Sequence, residues 1–260
     1  MAEAVPGETV DLFHRGRFRL VQPSGRGHRA GIDAMLLASL VPDDAGGRLA
    51  DLGAGAGAAG LAVAARCSGL DVTLVELSPD MALCARKTLA LPENIAFAGR
   101  VAVIEADVTL TGKARQAAGL EDERYDHVIM NPPFNHESDR RTPDALKAVA
   151  HAMNAELFES WIRTAGAIAR PGGQLSLIAR PQSIAEIIAA CGRRFGGIEV
   201  TALHPRQGED AIRILVTAIK GSRRRIALRA PIVLHEGEGH IFTRQVDELN
   251  NGLAAYPRRP

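Results

Sequence analysis

From about residue 31 to residue 220, short apolar runs alternate with helix-length segments, and this alternation constrains the fold more than any other feature. Strand-then-helix order is the pattern of a parallel sheet covered on both faces. The pattern predicts helix 33–40, strand 48–53, helix 57–67, strand 71–76, helix 79–90 and strand 100–105. A helical link, strand 125–130, helix 154–169, strand 174–179, helix 183–193 and strands 198–204 and 211–219 follow. Ser78-Pro79 suits a cap and first turn, and Arg170-Pro171-Gly172-Gly173 stops a helix. The last two strands are joined too tightly for a crossover helix, so they form an antiparallel pair. The expected fold is α/β: a doubly wound, Rossmann-like, seven-stranded sheet with six parallel strands and an antiparallel seventh. Residues 1–30 read as a basic N-terminal extension, 31–220 as the main domain, and 221–260 as a tail packing on the core. In that tail Pro231-Ile232-Val233-Leu234 suits an edge strand, and the end is expected to fray.

The chain of 260 residues is 46% hydrophobic but only 4% aromatic, so its core is built mainly of Ala, Leu, Val and Ile. A net charge of +1 creates no global field that demands a nucleic-acid partner. Charge is nevertheless uneven. No acid falls between Asp11 and Asp33, while Arg15, Arg17, Arg19, Arg26 and Arg29 all do, and Arg223, Arg224, Arg225 and Arg229 form a second cluster. Such clusters suit a phosphate-bearing substrate or, equally, a solvated face. Cys67, Cys84 and Cys191 are widely spaced and read as buried small hydrophobes of a reducing compartment. Met1 to Arg19 holds no signal-like apolar region, no stretch has membrane length, and no histidine spacing suggests a metal site. The expectation is a cytoplasmic protein with no membrane partner and no metal; its oligomeric state stays open.

Asp51-Leu52-Gly53-Ala54-Gly55-Ala56-Gly57-Ala58-Ala59-Gly60 ends the first core strand and opens a helix. Glycines let the backbone approach a ligand, and a helix N-terminus presents free N–H groups. Glu76 closes the next strand, where it can accept hydrogen bonds from ribose hydroxyls. Gly55-x-Gly57-x-x-Gly60 with Glu76 also fits the dinucleotide fingerprint, so this motif alone admits either NAD or S-adenosylmethionine (SAM). Asp107, after the third strand, can accept from an adenine amino group or simply cap its loop.

The fourth strand ends in Asn131-Pro132-Pro133-Phe134. Each prolyl ring fixes its own φ and biases the preceding residue away from helix, so the chain leaves the strand as a stiff extended loop. Such a loop presents the Asn131 side-chain oxygen and the Pro132 carbonyl to one planar amino group, and Phe134 offers a flat surface to the ring that carries it. In a doubly wound sheet the first and fourth strands flank the topological switch point, so both loops face one crevice. Hydride transfer has no use for that loop, whereas amine methylation does. An oxidoreductase using NAD is the alternative from another class.

With these residues in place, the chain resembles the class I SAM-dependent methyltransferases, and among them the branch that methylates exocyclic amines of nucleic-acid bases or glutamine amides. Gly27-His28-Arg29-Ala30-Gly31-Ile32-Asp33-Ala34-Met35-Leu36-Leu37 resembles a segment of a bacterial family that methylates adenine N6 beside the anticodon of a valine tRNA. Phe134 departs from it, standing where many members carry Tyr. The resemblance implies catalytic roles for Asn131, Pro132, Pro133 and Phe134. It implies a SAM site formed by Gly31, Asp33, Asp51, Gly53, Gly55, Gly57, Glu76, Asp107 and Asn131, with a nucleic acid, structured RNA in the form of tRNA, as partner. Asp33 equally suits a helix N-cap, His28 and Arg29 suit substrate contacts or a solvated loop, and His151 suits a surface position. A glutamine amide or a small-molecule amine or hydroxyl remains the alternative acceptor.

Overall fold

The computed structural model describes residues 7–24, 30–133 and 144–259, with side chains from residue 155 onward in the last stretch. Its elements run β1 (Glu8–Phe13), β2 (Phe18–Pro23), α1 (Ile32–Ser39), β3 (Gly46–Leu52), α2 (Ala58–Arg66), β4 (Gly69–Glu76) and α3 (Pro79–Leu89). There follow α4 (Ile95–Ala98), β5 (Val101–Glu105), α5 (Gly112–Ala117), β6 (Tyr125–Met130), α6 (Asp144–Ile168), β7 (Ala169–Ala179) and α7 (Ile184–Cys191). The chain ends with β8 (Phe195–His204), β9 (Arg213–Lys220), β10 (Ala227–Leu228), β11 (Ile232–Val233) and α8 (Arg244–Asn250).

The main sheet has the order β10-β8-β9-β7-β6-β3-β4-β5, with β11 also paired to β8. β5, β4, β3, β6 and β7 are parallel neighbours, and β9 is antiparallel to both β7 and β8. The doubly wound arrangement thus has the expected antiparallel pair, and the short β10 and β11 extend its edge. Side-chain alternation explains the two covered faces. Ile129 of β6 joins the core under α1, α2 and α3 with Leu36, Leu61 and Leu74. Its neighbours Val128 and Met130 join the opposite core with Phe158 and Ile162 of α6 and Ile187 of α7. Each such fully buried aliphatic side chain stabilises the fold by about 1.5–3 kcal/mol.

The structure differs from the sequence reading in three places. The N-terminal segment is a β-hairpin, β1–β2, turning at His14-Arg15-Gly16. The outer edge of β2 docks on side chains: Val21 N–H donates to Thr88 Oγ1 at 2.8 Å, and Asn94 takes Arg19 N–H at 3.0 Å and returns an N–H to its carbonyl at 2.8 Å. Helix α6 begins ten residues before the expected start, and β7 begins at Ala169, its Arg170–Gly173 stretch bulging past β6 between the Tyr125 and His127 pairings. The C-terminal segment is not frayed. Thr243 Oγ1 caps α8, Val246 and Leu249 are buried against α1, and Tyr256 N–H donates to the Ser39 carbonyl at 2.7 Å. All three cysteines are free and buried, and burial raises each thiol pKa. Among the described residues no helix is long and apolar enough to cross a membrane.

Candidate active site

Strand register brings the loops of interest to one edge. Leu52 of β3 pairs with Val75 of β4 and Met130 of β6, and Glu76 pairs with Glu105 of β5. Gly53, Asn131, Glu76 and Asp107 therefore all emerge at the C-terminal end of the parallel strands, where open α/β sheets bind ligands.

The glycine loop is built by close contact and left-handed backbone. Gly53, Gly55 and Gly57 have φ of +69°, +59° and +95°. A Cβ at Gly53 would lie 2.4 Å from Trp161 Cη2, and one at Gly57 2.7 Å from Leu74 Cδ1. At Gly55 a Cβ would meet only Met81 Cε, at 3.5 Å, so that backbone is open to a ligand. Asp51 lies beneath the loop, 2% exposed, and accepts the Gly60 N–H at 2.8 Å. Burial pushes the Asp51 carboxyl up to about 7; the Gly60 bond opposes this and the Glu76 charge adds to it.

Glu76 grips two backbones at once. Its Oε2 accepts Gly55 N–H at 2.7 Å and its Oε1 accepts Ser78 N–H at 2.8 Å, which fixes the carboxylate while leaving each oxygen a further lone pair. Asp107 Oδ1 takes Thr109 N–H and Oγ1–H, both at 2.7 Å, so this carboxylate does cap its loop. Asp107 Oδ2 keeps its acceptor capacity.

Asn131 follows β6 with its Oδ1 buried and without a hydrogen-bond partner among the described residues. Such an orphan costs about 1–3 kcal/mol unless a ligand supplies a donor. Pro132 is buried and Pro133 exposed. Phe134, Arg26, Gly27, His28 and Arg29 lie outside the described residues, as does the side chain of His151.

Gly31 and Asp33 are at the same sheet end but above β7 and β9. Gly31 is the N-cap of α1, so Asp33 is not; its Oδ2 instead pairs with Arg213 Nε at 2.8 Å. Ser78, Trp161 and Arg213 are the site residues that sequence reasoning missed. Only Ser78, the expected cap of α3, carried a local signal. No group of three or more His, Cys, Asp or Glu that could hold a metal occurs among the described residues.

The fixed Glu76 carboxylate, the open backbone at Gly55 and Asp107 Oδ2, which takes no hydrogen bond among the described residues, fit a nucleoside cofactor with ribose hydroxyls and an amino group. Comparison with known proteins bears on the same region. Residues 28–205 match the family model of the methyltransferase small domain. A tRNA1(Val) (adenine(37)-N6)-methyltransferase of Pedobacter heparinus is 26% identical over 200 residues, covering 77% of this chain and 80% of that protein. The crystal structure of an Agrobacterium tumefaciens protein, described as a predicted O-methyltransferase, is 60% identical and covers 88% of this chain and 100% of that one, with a TM-score of 0.77. A SAM-dependent O-methyltransferase of Thermotoga maritima, 19% identical with a TM-score of 0.51 over 78% of this chain and 70% of its own, shares the fold. The chain belongs to the methyltransferase small domain family and is a SAM-dependent methyltransferase.

Proposed function

We propose that this protein methylates an exocyclic amino group of a nucleic-acid base, adenine N6 in tRNA, with residues 31–220 as its catalytic domain. The observation that carries this reading is the buried Oδ1 of Asn131, which has no hydrogen-bond partner among the described residues. An amino group offers two N–H donors, one for Asn131 Oδ1 and one for the Pro132 carbonyl. Those two bonds draw the nitrogen lone pair out of conjugation with the ring and hold it in line for transfer. Pro132 and Pro133 keep the loop stiff, so the acceptors need no reorganisation as the reaction proceeds. Phe134, next in sequence, supplies the surface on which an unstacked base would rest.

SAM, when bound, supplies an electrophilic methyl group on a sulfonium. Gly53, Gly55 and Gly57 would admit it close to the backbone, Glu76 would take its ribose hydroxyls, and Asp107 Oδ2 its adenine amino group. Asp51 would support the loop from below, and Gly31 and Asp33, held by Arg213, would form the outer wall. The name of the Pedobacter heparinus relative supports adenine in a valine tRNA as acceptor.

The description of the Agrobacterium tumefaciens relative raises oxygen as the alternative acceptor. A hydroxyl, however, has a single O–H donor and would satisfy only one of the two acceptors, Asn131 Oδ1 or the Pro132 carbonyl. A glutamine amide offers the same two donors as adenine. Nucleoside mass spectrometry of tRNA from a strain lacking the gene separates these readings: loss of N6-methyladenosine is expected, and an unchanged nucleoside profile would move the acceptor to protein or a small molecule.

A further inference from the structure

Arginines gather at the open edge of the sheet in a place that the cofactor and acceptor site does not use. Arg223, Arg224 and Arg225 follow β9, are exposed, and form no ion pair among the described residues; Arg259 is exposed nearby in sequence to Arg258. Arg229 and Arg258 converge on the buried carboxylate of Glu199, at 3.5 Å and 3.3 Å. The backbone joins these groups: Gly197 N–H donates to the Arg224 carbonyl at 2.9 Å, and Arg258 Nη2 donates to the Gly197 carbonyl. Burial first, then Arg224 and Arg229, lowers the Arg258 pKa against the opposing pull of Glu199.

The charge on this edge is not balanced locally. Residues 221–235 and 251–260 contain no Asp or Glu. Their six arginines against Glu199 give +5, while the whole chain carries +1, so the rest of the molecule is net −4. The described arginines of the N-terminal basic run behave differently. Arg15 pairs with Asp247 at 2.5 Å, Arg19 with Glu93 at 3.1 Å, and Arg17 donates to the Gly252 carbonyl at 3.3 Å. Those three side chains are committed within the fold, whereas Arg223 to Arg225 form no ion pair among the described residues.

Position gives the edge its use. β10 pairs with Glu199 and Val200, and β11 with Leu203 and His204, both parallel to β8. The chain from Arg223 to Leu234 therefore climbs the open edge toward the sheet end that carries Asn131. At about 3.3 Å per residue and about 4.8 Å per strand, the cluster lies on the order of 25 Å from that site. A single base or a short loop in the site does not span that distance, whereas a folded RNA does.

We infer that this arginine edge is a docking surface for the phosphodiester backbone of a structured RNA, remote from the base being methylated. The inference rests on the reading of the acceptor as an RNA base. Phosphate contacts of this kind position a substrate without reading its sequence, and they release counterions.

The test compares the wild-type protein with R223A/R224A/R225A on an unmodified valine tRNA transcript and on a short stem-loop carrying the same target adenine. On the full transcript the variant should raise KM roughly tenfold or more with kcat unchanged, and flatten the slope of log affinity against log salt by about 2–3. KM on the stem-loop, SAM affinity and melting temperature should stay at wild-type values. A variant that methylates the full transcript with wild-type KM and salt slope overturns the docking surface and leaves the acceptor reading intact. A wild-type protein that leaves both RNAs unmethylated overturns the acceptor reading and the surface with it. Loss of phosphatidylserine-vesicle binding in the variant, with RNA affinity unchanged, overturns RNA docking in favour of a membrane.

Discussion

Glu76 Oε2 accepts the Gly55 N–H at 2.7 Å, so the carboxylate that ends β4 holds the glycine loop that ends β3. The same group anchors Ser78, at the start of α3. Replacing Glu76 with Ala removes the acceptor for ribose hydroxyls and frees two backbone donors together. SAM affinity should fall by about 1.5–3 kcal/mol, the scale of hydrogen bonds to a charged group, and calorimetry on the folded variant measures it directly. Unchanged affinity would remove Glu76 from the cofactor site.

Gly53 is held between a positive φ and the indole of Trp161, the single tryptophan of the chain. Gly53→Ala should cost about 2–4 kcal/mol, combining left-handed strain with overpacking. Denaturant unfolding followed by Trp161 fluorescence reads the loss, and the native emission should shift as the ring is displaced. A Gly53→Ala protein of wild-type stability would mean that the loop can move away from the indole.

Two buried groups should give pH dependences of opposite sign. Burial raises Asp51 from 3.8 to about 7, so the folded state binds more protons there, and its stabilising share is lost as pH rises through about 7. His14, 3% exposed with both ring nitrogens unpartnered among the described residues, is lowered from 6.5 to about 4, first by burial and then by Arg66 and Arg17. Its share is present above pH 6.5 and lost as pH falls through about 4. Thermal melts from pH 4 to pH 8 should show Asp51→Asn losing less stability than wild type toward pH 8, and His14→Phe losing less toward pH 4. Each difference should be no more than about 4 kcal/mol. Parallel melting curves for all three proteins would contradict both assignments.

Much of this architecture is legible in the sequence where an apolar run is long enough to be buried on both faces. β6 appears at the bounds that Tyr125–Met130 suggests, and the loops bearing Gly53, Glu76, Asp107 and Asn131 all fall at strand ends. The hairpin was less legible because its arginines outweigh a short alternation, and its docking edge depends on Thr88 and Asn94, far off in sequence. Helix α8 has only Val246 and Leu249 to bury, too few to form a periodic signal. The Arg170–Gly173 stretch reads as a helix stop, and it is one, yet it also bulges within β7. Within the site, the Asp33–Arg213 pair and the Trp161 contact with Gly53 join residues more than a hundred positions apart, which no local pattern encodes.

The most direct test of amine methylation at the β6 loop is the rate of N6-methyladenosine formation in tRNA by Asn131→Ala at saturating SAM, compared with wild type. Asn131 Oδ1 is expected to meet the acceptor amine in the transition state, where one placed polar group contributes about 3–4 kcal/mol. The rate should fall roughly a hundred- to thousandfold while SAM affinity, measured on the same preparation, stays near wild type. A folded Asn131→Ala protein that keeps near wild-type turnover would contradict the account and place the chemistry elsewhere in the crevice.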